Sequence, residues 1–149
     1  MNLSILGWSA FFESDDLNIK DFARVTAVHR SHLVAMTQEK EINLYLSSQI
    51  DQPIAVGDWV ETTPEFIDER NEPAAIIKRV LKRKSKLSRS STTGEKIFAA
   101  NVDQVFIVTS ANQDFSLKRL HRFIVLVREG GSVPIVVLSK VDLSKDHIN

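Results

Sequence analysis

Apolar and polar positions follow two rhythms along this chain, and each rhythm predicts its own kind of structure. Residues 22–28, FARVTAV, place β-branched side chains in near alternation, and 32–37 repeat the pattern after a brief HRS link. Residues 41–47, EINLYLS, alternate strictly: Ile42, Leu44 and Leu46 on one face, Glu41, Asn43, Tyr45 and Ser47 on the other. Gly57-Asp58 opens a fourth strand at WVETT, the proline-bearing polar loop DERNEP follows, and 74–81 supply a fifth. Short strands with no long helix between them predict an all-β, five-stranded, closed barrel of the OB type, although an SH3-like barrel gives much the same pattern. GWSAFFES, ahead of the strands, is too short for a domain and suits an arm or a single helical turn packed on the barrel.

The rhythm changes after Gly94. Residues 101–111, NVDQVFIVTSA, are a nearly continuous apolar run, the signature of a strand buried on both faces. In the segment that follows, Leu117, Leu120, Ile124 and Val127 recur at helical spacing while Lys118, Arg119, Arg122 and Arg128 reach water. Asp114 or Ser116 can cap this helix and Gly130-Gly131 ends it. VPIVVLSK is the next strand, which completes a βαβ unit with a parallel pair and a right-handed crossover. A helix and two strands leave a sheet edge and much apolar surface uncovered, so this half is expected to be the less stable one.

Composition narrows the chemistry. Of 149 residues, 43% are hydrophobic and 26% charged, as in an ordinary globular protein. With no cysteine there is no disulfide framework and no thiolate metal site. His29, His32, His121 and His147 lack ligand spacing, so no metal site is expected here. No apolar run approaches a membrane span, and the start of the chain runs into acids without a basic leader, so the expectation is a cytoplasmic protein with no membrane partner. The net charge of zero conceals a basic block, KRVLKRKSKLSR at 78–89, with seven Lys or Arg and no acid. Two readings of it stay open: a solvated connector or exposed strand face, and a patch that meets phosphate.

The segment Ser139-Lys140-Val141-Asp142 stands at the carboxyl end of the last strand, where open parallel sheets bind ligands. Guanine presents an N1–H and an exocyclic amino group on one edge, and a fixed carboxylate accepts both. Asp142 is the candidate reader. Lys140 can lay its stem along the base, and Ser139 can tie the strand end to a neighbour. Alone, a four-residue match is weak, and the plainer reading is a surface turn with its charges solvated. No glycine fits G-x-x-x-x-G-K-[ST], so the chain has no phosphate loop and, by itself, should not hydrolyse GTP.

Several stretches then agree: LGWSAFF, ARVTAVHR, VGDWV, KRKSKLSR, AANVDQVFIVTSANQDFSLKRLHRF and PIVVLSKVDL. Together they resemble the circularly permuted, ribosome small-subunit-dependent GTPases of the RsgA (YjeQ) family. Ser139 departs from the Thr or Asn more usual there but keeps the hydroxyl. The resemblance implies that 1–94 form an arm plus an OB-fold RNA-binding domain. Residues 95–149 would be the incomplete α/β (βαβ) start of a permuted P-loop GTPase domain, ending before the phosphate loop. It further implies a monomeric factor in late maturation of the small (30S) ribosomal subunit, with GTP and GDP as ligands. Mg²⁺ and a zinc domain would belong to residues beyond Asn149. The OB domain would contact rRNA through Arg24, Arg30, Lys82, Arg83, Lys84, Lys86 and Arg89, and residues 139–142 would read guanine. A competing expectation is a stand-alone OB-fold RNA-binding module without nucleotide chemistry; another is a small-ligand or protein-interaction domain with an accidental Ser-Lys-Val-Asp.

Overall fold

A computed structural model describes residues 3–12, 21–92, 94–111 and 115–143. The chain divides into two compact units, Met1–Asn101 and Val102–Asn149.

In the first unit the alternating segments become β1 (Phe22–Val28), β2 (Leu33–Met36), β3 (Glu41–Leu46), β4 (Trp59–Thr62), β5 (Phe66–Ile67) and β6 (Pro73–Val80). They pair in the order β3-β2-β1-β4-β6-β5, and β3 also pairs with β6 in parallel, which closes a barrel of β1, β2, β3, β6 and β4. This is the OB-type barrel that the alternation predicts. Irregular registers at residues 25–27 of β1 and 61–62 of β4 bend the strands toward closure. The inward positions Ala23, Val25, Ala35, Ile42, Leu44, Val60, Ala75 and Ile77 are almost wholly buried and form the core. Small alanines alternate with branched residues, as a narrow barrel requires.

The short arm takes up 3-10 turns at Leu3–Leu6 and Ala10–Phe12. Leu3, Trp8 and Phe12 pack on Phe22 and Trp59 as a second core beneath the barrel. Trp8 meets Trp59 edge-on at 4.8 Å between ring centroids, a favoured aromatic geometry.

The basic block is no simple connector. Part of it is β7 (Lys86–Ser91), which pairs antiparallel with β8 (Gly94–Ala100). The change of texture at Gly94 therefore falls inside a hairpin, and the two units divide seven residues later, at 101/102. The hairpin is fastened to the barrel at its base. Ala100 N–H donates to Val56 O at 2.9 Å. Gly57, at φ 91°, lies so close that a Cβ would collide with the Ala100 carbonyl. Asn101, itself left-handed at φ 55°, donates through Nδ2 to Gly57 O at 2.9 Å and accepts the Lys84 N–H at 2.7 Å.

The second unit is β9 (Gln104–Ser110), α1 (Leu117–Glu129) and β10 (Val133–Ser139). The strands pair in parallel from Val133↔Gln104 to Ser139↔Ser110. Ser116 caps α1 and accepts the Arg119 N–H, while the other cap candidate, Asp114, lies outside the described residues, as does His147. Gly130 and the left-handed Gly131 close the helix. The expectation that 101–111 is buried on both faces needs correction: Phe106 and Val108 are 64% and 66% exposed. One helix and one neighbouring strand cannot cover both faces of the pair. Amides of residues 105–109 and 135–138 should accordingly exchange hydrogen sooner than those of β1 and β3. Equal protection would mean that the apolar faces are covered in solution.

Candidate guanine-reading turn and basic surface

At the carboxyl end of β10 the backbone is pinned and then turned sharply. Ser139 Oγ donates to Thr109 O at 3.1 Å, and Ala111 N–H donates to Ser139 O at 3.0 Å, so the hydroxyl ties the two parallel strand ends together. Lys140 follows in the left-handed region at φ 54°. That conformation costs a lysine about 1–2 kcal/mol and persists where the surroundings require it. Val141–Leu143 then form a 3-10 turn that carries Asp142. Lys140 and Asp142 are both exposed, and no described residue bonds to the Asp142 carboxylate. The turn thus presents an ionised acceptor pair and a lysine at the end of a strand, a geometry suited to two adjacent donors on one edge of a planar base.

The candidate RNA-contacting cations separate into two groups. Arg83 is committed to the fold: its Nε donates to Asp58 Oδ1 at 2.7 Å, and its Nη2 to Asp58 Oδ2 and Pro53 O, each at 2.7 Å. Asp58 is fully buried and also accepts the Ala55 N–H at 2.9 Å. These bonds hold the Arg83 pKa above its ordinary value. Arg24 is committed too, donating to Leu6 O and, at 2.8 Å, to Asn101 O, with its guanidinium 5.9 Å from the Trp59 ring centroid. Both are braces between segments rather than surface cations. Lys86 pairs with Glu95 across the hairpin at 2.8 Å. Arg30, Lys82, Lys84 and Arg89 are exposed.

A further feature carries no motif in the sequence. The turn between β1 and β2, the β3 face and the β5–β6 loop enclose a cleft of about 500 Å³. Tyr45 and Phe66 stack within it at 6.5 Å between centroids. Asp68 accepts the Tyr45 hydroxyl at 2.8 Å and Asn43 Nδ2 at 3.3 Å through one oxygen. Its other oxygen accepts the N–H groups of Arg70 and Glu72 at 2.9 and 3.0 Å. Hydrogen bonds, the Glu72 N–H foremost, hold Asp68 below the usual carboxylate range, and the same carboxylate raises the Tyr45 hydroxyl.

The fold of this chain is shared with solved structures. The chain aligns with YjeQ from Thermotoga maritima at TM-score 0.63 and 28% identity, over 85% of this chain and 43% of that one. It aligns with YloQ, a circularly permuted GTPase, at TM-score 0.61 and 22% identity, over 90% and 45%; at that identity the likeness speaks for the fold alone. A family model described as RsgA GTPase matches residues 80–149. Curated relatives named small ribosomal subunit biogenesis GTPase RsgA include one from Mesorhizobium japonicum, 38% identical over 97% of this chain. One from Vibrio parahaemolyticus, RsgA 2, is likewise 38% identical over 97%. These matches together support reading the chain as part of an RsgA GTPase. It spans 41% and 39% of the length of those two relatives.

Proposed function

We propose that this chain is the amino-terminal part of a GTP-hydrolysing factor that acts on the small ribosomal subunit in the cytoplasm, as a monomer. The barrel and its basic hairpin contact rRNA, and Ser139, Lys140, Val141 and Asp142 read guanine of bound GTP or GDP. The observation that carries the guanine assignment is the strained turn at Lys140, anchored by Ser139 and followed by an exposed carboxylate at the end of a parallel strand. The residues present fit the base of the nucleotide. They offer no glycine-rich cradle for its phosphates or for Mg²⁺, so those groups, like the zinc domain, fall to the remainder of the longer protein.

The rRNA half of the proposal is tested by salt. Lys82 and Arg89 are exposed and make no ion pair with a described residue. Each phosphate contact releases condensed counterions and contributes roughly −0.7 to −0.9 to the slope of log affinity against log salt. Replacing both with alanine should weaken binding to purified small subunits and flatten that slope by about one and a half units. Unchanged affinity and slope would remove the hairpin from the contact and leave Arg30, at the β1–β2 turn, as the next cation to test.

A further inference from the structure

The cleft on the outer barrel face does not suit a phosphate backbone. OB barrels commonly bind oligonucleotides on this face, between the same two loops, and exposed aromatics are usual stacking platforms for bases. Such grooves also carry cations that track the strand. Here the charge has the opposite sign: residues 61–72, ETTPEFIDERNE, hold five acids and one base. Glu61 and Glu65 are neutralised locally, Glu61 by Arg79 and Glu65 by Lys40 at 2.6 Å. Asp68 is held at the base of the loop by four hydrogen bonds, which favour its carboxylate form. Glu69 lines the cleft and Glu72 flanks it, both exposed and in no ion pair with a described residue; opposing them are Arg70 in the lining and the exposed Arg30 on the adjoining β1–β2 turn.

The apolar part is equally specific. Phe66, Ile67 and Ile76 remain 40%, 63% and 38% exposed, although they sit on a well-formed hairpin whose opposite side packs the core. Phe66 lies near-parallel to Tyr45, 28° between planes, and the pair offers a broad aromatic face beside a carboxylate. An aromatic face with an adjoining acid and aliphatic flanks is the setting that receives an arginine side chain. Its planar guanidinium stacks on rings and bonds a carboxylate at the same time, while its stem covers apolar surface.

We propose that this cleft docks an extended segment of a basic protein, with one arginine laid on the Phe66–Tyr45 pair and bonded to Glu69, and an aliphatic neighbour against Ile67 and Ile76. The commitment to a basic peptide follows from charge complementarity: the acids that favour guanidinium repel phosphate. None of the lining residues belongs to the hairpin or to residues 139–142, so the proposal rests on neither of those assignments.

Nuclear magnetic resonance titration of the whole chain tests it with three probes: a short peptide alternating arginine and leucine, the same peptide with citrulline for arginine, and an oligouridylate. The arginine peptide should shift the amides of Tyr45 and of residues 66–72. The citrulline peptide keeps the shape and loses the charge, and it should bind at least about tenfold more weakly. Glu69→Gln, on an exposed loop position whose carboxylate has no described structural partner, should lose a similar factor for the arginine peptide while leaving the remaining spectrum in place. Equal affinity for the two peptides, no shift at these amides, or an indifferent Glu69→Gln variant would overturn the proposal. So would oligouridylate binding the same amides more tightly than the arginine peptide, which would make the cleft a base-stacking platform.

Discussion

Arg83→Ala is expected to destabilise the barrel by about 3–5 kcal/mol, the usual cost of stripping the partner from a buried charge. Asp58 is wholly inaccessible, and Arg83 supplies bonds to both of its carboxylate oxygens. After truncation only the Ala55 N–H would still reach that carboxylate within the described network. The same guanidinium also bonds Pro53 O, so the loop that leads into β4 would lose a tie as well. Arg83→Lys should recover only part of the loss, because an ammonium is a point donor and cannot reproduce a bidentate fork. Asp58→Asn combined with Arg83→Met should cost less than Arg83→Ala alone: the amide oxygen still accepts the Ala55 N–H, and no charge is left stranded. Urea unfolding followed by tryptophan fluorescence measures all three, since Trp59 is wholly buried between the barrel and the arm. Lys82→Ala, one residue away and exposed, is the control and should stay within about 0.5 kcal/mol. If Arg83→Ala behaved like that control, the ion pair would not hold the fold, and Arg83 would return to the candidates for phosphate contact.

Arg83 also marks the boundary of what the sequence conveys. Periodicity exposes the strands because alternation is a local signal: Ile42 and Leu44 face the core and Glu41 faces water, as EINLYLS predicts. The βαβ order is legible for the same reason, and so is Ser116 as a cap. Within a run of cations, however, nothing in the residue type separates Arg83 from Lys82. The difference arises from Asp58, 25 residues earlier in the chain, brought beside it only when the barrel closes. Arg24 is similar, its partners Leu6 and Asn101 lying far away on either side. The hairpin was hidden differently. KLSRSS lacks the alternation of a half-buried strand, and its pairing rests on backbone bonds to Gly94–Ala100 and on the Lys86–Glu95 bridge. The aromatic cleft draws Tyr45 and Phe66 from separate strands, so no window of sequence contains it. At the turn after β10 the residue types are visible as a motif, but the left-handed backbone at Lys140 is not, since lysine gives no sign of positive φ.

In the full-length protein that contains this chain, Asp142→Asn should lower affinity for guanine nucleotides by roughly a hundredfold and shift preference toward xanthosine nucleotides. The carboxylate is an acceptor at both oxygens and matches the N1–H and exocyclic amino donors of guanine simultaneously. An amide keeps one acceptor and turns the other position into a donor that faces the guanine amino group. Losing one charge-assisted bond and opposing a second donor amounts to about 3 kcal/mol. Xanthine carries an oxygen where guanine has the amino group, so the new amide N–H gains a partner and its oxygen still accepts from N1–H. Adenine nucleotides should not benefit, because the adenine N1 is an acceptor and its exocyclic donor is displaced. Ser139 and the turn should be undisturbed by the change: the Ser139 hydroxyl bonds to Thr109 O rather than to Asp142, and Asp142 is exposed with no described partner. The loss should therefore appear in nucleotide affinity and not in thermal stability of the free protein. Equilibrium titration with fluorescent guanosine and xanthosine diphosphates, at matched Mg²⁺, reads both affinities directly. A variant that binds guanosine diphosphate as tightly as the parent and ignores xanthosine diphosphate would show that Asp142 is not the base reader. The exposed turn after β10 would then be no more than a surface loop.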